Sequence, residues 1–294
     1  MNNSIEISRY LKQLWTNPEA RQKRCLEIRA ARTIFLTNNY PDTASWAAAN
    51  IASQLQDSAT FKAKGRLLDV GCGSGLYLNL LESSYKFAVG LDKSPAALAQ
   101  FPRKIEKAQP LRGDARNLPF APEVFGAALA NRMLNLTRAI HRALSEIRRA
   151  LAVQGLLFIV TAEREANATL RKAHDESLVA CGFPKRFYAR SSPPEQRLGR
   201  ENGERWLREA GFEVRQVVDY ERIIAPLTLA EGLELYATGL LFQHSAGFDE
   251  PGIEPERWIK LYQTVEARLA TLLEQEGKLE IRDGATLFTA IKPF

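Results

Sequence analysis

The segment Leu67–Gly75, LLDVGCGSG, constrains this chain more than any other stretch. The apolar residues Leu67, Leu68 and Val70 run straight into Gly71, Gly73 and Gly75, and helical spacing resumes at Leu76. Glycines at alternate positions let a backbone turn sharply at the end of a buried strand and leave no Cβ in the way of a ligand. The pattern predicts a strand, a cradle-like turn and a helix. In a GxGxxG turn built for a pyrophosphate at the helix N-terminus, the third glycine would stand where this chain has Leu76. Asp69, at the strand end, would repel a pyrophosphate and attract a cationic group.

The texture around this segment is that of βαβ units. Short β-rich runs, RLLDVG, FAVGLD, PLRGDA, VFGAALAN and GLLFIVTA (155–162), are separated by stretches with helical periodicity. Crossover helices are expected over Leu76–Ser84, Pro95–Lys107 and Thr137–Leu151, the last from the spacing of Leu136, Ile140, Leu144, Ile147 and Leu151. Ser94 can cap the second of these, and Pro95 at its first position loses no needed hydrogen bond. Residues 1–64 read as two or three helices interrupted at 38–42. Beyond Ala162 come an irregular helical region with a loop at 191–194, a helix over Arg200–Ala210 and a strand at 213–222. Two helices within 228–276 and a last strand at 285–292 complete the chain. The expected organisation is one composite domain: an N-terminal helical cap (1–64), an α/β core (65–162), a lid insertion (163–212) and a C-terminal part of the sheet carrying a helical insertion (213–294).

Bulk properties narrow the class. A chain of 294 residues with 45% hydrophobic and 25% charged content buries a substantial core. No secretory n- and h-region opens it, and no window approaches the roughly 20 apolar residues of a membrane span, so a cytoplasmic location without membrane association is expected. Cys25, Cys72 and Cys181 have no CxxC spacing, and His141, His174 and His244 lie far apart, which argues against a disulfide scaffold and a metal centre. The net charge of +6 is spread along the chain and mixed with acids, so charge alone does not make it a nucleic-acid binder.

Two more acids stand at strand ends. Asp92 closes FAVGLD about 20 residues after the first glycine, where a carboxylate can accept both hydroxyls of a ribose. Asp114 closes the third strand, where it can accept an adenine amino group while the Ala115 amide reaches a ring nitrogen. Together with Asp69, these groups line one crevice at the carboxyl edge of the sheet, and they suit S-adenosylmethionine (SAM), whose amino-acid end is cationic at nitrogen and sulfur.

Leu67–Gly75, Asp92, GDARNLPF, VFGAALANRMLNL and EIRRALAVQGLLFIVT resemble the successive motifs of class I SAM-dependent methyltransferases over about residues 66–162. The resemblance implies a doubly wound, mostly parallel, seven-stranded sheet with helices on both faces and a final antiparallel strand. It further implies SAM as cofactor, held by Asp69, Gly71, Cys72, Gly73, Gly75, Asp92, Lys93, Asp114 and Ala115, with Asn131, Arg132 and Met133 flanking its methionine portion. Many relatives place a Tyr-His pair after the fourth strand. Here those positions are Asn135-Leu136, so no base is available there.

Methyl transfer from a sulfonium is an in-line displacement that gains most of its rate from alignment and exclusion of water. Candidates for the acceptor pocket are Tyr10, Trp15, Tyr40, Asn135, Phe187, Tyr188 and Tyr236, each aromatic being equally explained as core. Arg32 could meet the SAM carboxylate. The densest basic stretch, Lys185, Arg186, Arg190, Arg197 and Arg200, is interleaved with Phe183, Phe187 and Tyr188 and reads as a solvated loop, with RNA phosphates as the alternative partner. The expected activity is methylation of a small molecule. The alternatives are non-methyl chemistry at SAM that releases methylthioadenosine, RNA methylation, and a SAM-binding protein without turnover.

Overall fold

The computed structural model describes residues 43–102, 105–137, 139–162, 168–187, 198–239 and 253–294. Their elements run α1 (Thr43–Asp57), α2 (Ala59–Lys64), β1 (Arg66–Val70), α3 (Leu76–Leu80), β2 (Phe87–Asp92), α4 (Pro95–Leu98), β3 (Ala108–Arg112) and β4 (Phe125–Leu129). Then follow α5 (Ile140–Ala150), β5 (Leu151–Ala162), α6 (Ala168–Ala180), α7 (Gly203–Glu209), β6 (Glu213–Leu227), α8 (Leu229–Gly239), α9 (Pro255–Glu276) and β7 (Leu279–Ile291). Among the described residues these strands form a seven-stranded sheet in the order β3-β2-β1-β4-β5-β7-β6. β1 pairs in parallel with β2 and β4, β2 with β3, and β4 with β5, while β7 runs antiparallel to β5.

The chain divides into two compact units, and the division falls inside β6 and β7. The larger unit holds residues 41–164, 193–221 and 284–294. Its sheet is covered on both faces, which is why β1 and β4 are apolar without alternation. On one face Ala47 and Ile51 of α1, Phe61 of α2 and Leu78 of α3 pack on Leu67, Ala127, Leu129, Val160 and Leu287. On the other face Ala143, Leu144 and Ile147 of α5 and Trp206 and Leu207 of α7 pack on Leu68, Val70, Ala128, Ile159 and Phe288. Each fully buried aliphatic side chain stabilises this packing by about 1.5–3 kcal/mol.

In the smaller unit, α6, α8, α9 and the start of β7 build a separate apolar cluster. Phe183, Phe187 and Trp258 meet edge to face at its centre, with ring centroids 4.8–5.7 Å apart. Tyr236 is fully buried and shares a 2.9 Å hydrogen bond with His174 Nδ1.

Several helices are shorter than their periodicity implies. The second crossover helix spans only Pro95–Leu98, capped by Ser94 Oγ on the Ala97 amide, and not Pro95–Lys107. Pro102 accounts for this: it lacks an amide hydrogen and disfavours helical geometry at Phe101. The first breaks into Leu76–Leu80 and a 3-10 turn at Glu82–Ser84, the third begins at Ile140, and the helix expected from Arg200 begins at Gly203. β5, β6 and β7 are each longer than expected. Among the described residues no helix is long and apolar enough to cross a membrane.

Candidate functional site

Because β1, β2, β3 and β4 are parallel, the residues that follow them emerge on one edge of the sheet. At β1 the turn begins with the Gly71 and Cys72 amides both donating to the Leu91 carbonyl, at 2.7 and 3.1 Å. Gly71, Gly73 and Gly75 all have positive φ, +73°, +56° and +80°, which L side chains rarely adopt. A Cβ at Gly71 would lie 2.5 Å from Met133 Cβ, and one at Gly75 would lie 2.6 Å from the Phe101 ring. At Gly73 a Cβ would meet nothing within 4 Å, so that glycine faces open space.

Asp92 ties this turn to β2. Its Oδ2 accepts the Gly73 amide at 2.9 Å and its Oδ1 the Ser94 amide at 2.8 Å. Each oxygen keeps a lone pair, so the carboxylate is held in place with capacity left for a pair of hydroxyls.

Asp69 is 2% exposed, and its Oδ2 has no hydrogen-bond partner. Burial, and then the charge of Asp92, push its carboxyl up to about 7. Asp69 lies opposite Leu129 in the β1–β4 register. Asn131, two residues beyond Leu129, continues the pairing with β5 through the Ala130 and Arg132 amides and so faces the same side as Asp69. Its Oδ1 accepts the Val160 amide at 3.1 Å, while its Nδ2 is buried and unpartnered. An orphaned carboxylate and an orphaned amide donor on one face of adjoining strands suit a zwitterionic amino-acid group, as carried by the methionine end of SAM. The residues present fit this cofactor: Asp69 and Asn131 for the amino-acid end, the Gly73 cradle and Asp92 for the ribose.

Asp114 has a partner of its own. Arg116 grips it with its own amide at 2.9 Å and with a guanidinium fork at 2.6–3.1 Å, which holds the carboxyl down to about 2. An adenine amino group would reach Asp114 only in competition with that fork. The hydrogen bonds that order the loop run from the Gly113, Arg116, Asn117 and Leu118 amides and leave the Ala115 amide out, so that amide keeps a donor for a ring nitrogen.

The remaining candidates divide. Lys93 is exposed, and its charge contributes to lowering Asp114. The Cys72 thiol is buried and pushed far up by desolvation, so it serves as packing and not as a nucleophile. Arg132 is exposed in a left-handed conformation at φ +54°, and Met133 packs over Gly71. Asn135 is not available to an acceptor: its Oδ1 takes the Leu198 amide at 2.7 Å and its Nδ2 donates to the Leu198 carbonyl at 2.9 Å. Tyr236 and Phe187 belong to the core of the smaller unit, not to a pocket wall, because that unit buries its rings among its own helices. Arg32, Tyr10, Trp15, Tyr40 and Tyr188 lie outside the described residues.

Sequence reasoning missed the groups that hold the loop after β3. The buried Glu146 and the half-buried Arg149 of α5 form an ion pair at 2.8 Å that bonds the backbone of Leu118 and Phe120. The i,i+3 spacing within EIRR was its one visible trace.

Comparison with known proteins agrees with this edge. Residues 68–159 match the family model described as a methyltransferase domain. Among solved structures, a methyltransferase-like protein of Bacillus halodurans C-125 is similar at 17% identity, covering 83% of this chain and 99% of that one, with a TM-score of 0.52. The YcgJ protein of Bacillus subtilis is similar at 13% identity, covering 78% and 92%, with a TM-score of 0.51. No curated protein matches the chain in sequence. Residues 68–159 are thus a methyltransferase domain, and they lie on a mostly parallel sheet with an antiparallel strand, the fold of the class I SAM-dependent methyltransferases.

Proposed function

We propose that the chain transfers the SAM methyl group to a small-molecule acceptor, gaining its rate from alignment and desolvation. The observation that carries this reading is the unpartnered Asp69 Oδ2 at the end of β1, followed in sequence by a turn that is open at Gly73, within the matched methyltransferase domain. SAM supplies an activated methyl on a sulfonium with a good leaving group. The chain's own residues then need only hold the cofactor, orient its sulfonium and keep water away. The absence of a base at Asn135 supports this division of labour, since that amide is occupied by Leu198. His141, the second residue of α5, packs beside Trp206, with ring centroids 5.3 Å apart.

A small acceptor is favoured over RNA because Arg200, the described arginine of the basic stretch whose contacts are seen, is neutralised by Asp219 at 3.0 Å and Glu204 at 3.6 Å. The test is to incubate the purified protein with SAM and fractionated small-molecule extract and to identify the nucleoside product by mass. S-adenosylhomocysteine formed only with an extract fraction is the expected result. Methylthioadenosine would replace methyl transfer with attack on another carbon of the sulfonium, and turnover only on RNA, abolished by moderate salt, would move the acceptor to nucleic acid.

A further inference from the structure

The loop between β3 and β4 carries Asp114 and Ala115; beyond its own turn bonds and the Gly113 amide on the Asp92 carbonyl, the hydrogen bonds that tie it to the fold come from one helix. Glu146 Oε2 accepts the Leu118 amide at 2.9 Å. Arg149 donates from Nη1 to the Phe120 carbonyl at 2.7 Å and from Nη2 to the Leu118 carbonyl at 2.9 Å. The Arg149 carbonyl accepts the Glu123 amide at 3.0 Å, and Arg142 Nε reaches the Arg116 carbonyl at 3.0 Å. Glu146 and Arg149 are themselves joined by a fork, Nε to Oε1 at 3.1 Å and Nη2 to Oε2 at 2.8 Å, and Glu146 is only 6% exposed. The guanidinium beside it holds the Glu146 carboxyl below the usual range.

Glu146 is buried and Arg149 half-buried, and a forked ion pair of this kind imposes direction on what it touches. Here it touches the backbone three and five residues after Ala115, and Leu118 is drawn into the apolar face with Leu144 and Ile147. α5 starts a few residues beyond Asn131–Met133, so one rigid element is linked to both the β3 and the β4 exits.

We infer that the Glu146–Arg149 pair is a positioning device for base recognition: it holds the 113–120 loop so that the Ala115 amide faces the adenine ring, and thereby sets the preference for an adenosyl cofactor. This rests on the assignment of Ala115 to the adenine made above. Adenine accepts at N1 and donates at N6, whereas hypoxanthine donates at N1 and accepts at its 6-position. A loop held with its amide toward N1 therefore rejects the inosyl ligand by donor facing donor, and a loosened loop does not.

The experiment compares affinities for S-adenosylhomocysteine and S-inosylhomocysteine by calorimetry. The proteins are the full chain, Glu146→Gln, Arg149→Lys and the apolar double variant Glu146→Leu/Arg149→Met, the last chosen to keep the helix packed. The full chain is expected to prefer the adenosyl ligand by at least about tenfold. The variants are expected to reduce that preference to less than about threefold through loss of adenosyl affinity, with inosyl affinity unchanged within about twofold. Variants that weaken both ligands equally, or neither, overturn the positioning role and leave the adenine assignment standing. A full chain with no preference between the ligands overturns that assignment and the inference with it.

Discussion

Asp92 Oδ2 accepts the Gly73 amide at 2.9 Å across nineteen residues of sequence, so the carboxylate assigned to the ribose also shapes the glycine turn. A substitution at either end acts on both.

Asp92→Ala removes the acceptor of two amides, Gly73 and Ser94, as well as the ribose contact. With hydrogen bonds to a charged group worth about 1.5–3 kcal/mol each, SAM affinity falls by about 100-fold or more. Gly73→Ala meets no protein atom, and its cost is the left-handed backbone, about 1 kcal/mol. It therefore folds, with its methyl group filling the cradle and SAM affinity lowered at least about tenfold. Calorimetry with SAM checks both, and native affinity in the two variants would remove the site assignment.

Asp69 makes cofactor binding pH-dependent. Its native carboxyl lies near 7, against 3.8 unperturbed, so between those values the folded state binds more protons than the unfolded one. Stability without ligand therefore declines as pH rises from about 4 to about 7. The anion that attracts an ammonium is populated above about 7, so SAM affinity weakens below that pH by up to about tenfold per unit. Binding titrations across pH 5.5–8.5 (roughly the span of a buffered series around that value) test this, and Asp69→Asn should flatten the profile.

Asn135→Ala is a stability variant. It strands the Leu198 amide and carbonyl together, at a cost of about 2 kcal/mol, and should lower the denaturant midpoint while leaving SAM affinity within about twofold. A large change in affinity with an unchanged midpoint would return Asn135 to the ligand site.

Tyr236→Phe deletes the hydroxyl shared with His174 inside the smaller unit. Expected are a loss of about 1 kcal/mol in stability and no change in SAM affinity, read from melting curves and calorimetry on the same preparation. Loss of turnover without loss of stability would contradict the assignment of Tyr236 to the core.

Local chemistry was legible where neighbours in sequence are neighbours in space. The glycine turn, the acids at the ends of β1 and β2, and the cap at Ser94 each depend on residues a few positions apart, and all stand where the residues implied. The overlong crossover helix shows the limit of periodicity: apolar spacing continued past Phe101, but Pro102 ended the hydrogen-bond ladder. Asp114 and Asn135 each have a partner that spacing did not reveal. One is an arginine two residues on that folds back, the other a backbone amide 63 residues away.

The sequence by itself determined the strand, turn and helix at 66–80 and the class of cofactor, because glycine geometry and a carboxylate at a strand end are local requirements. Only the tertiary structure decided which polar groups remain free for that cofactor. Asp69 Oδ2 and Asn131 Nδ2 are left unpartnered, while Asp114, Asn135 and Glu146 are spent on Arg116, Leu198 and Leu118. Hydrogen-bond capacity is exhausted by whatever the fold brings within 3 Å (about the length of such a bond), and that follows from packing and not from order along the chain.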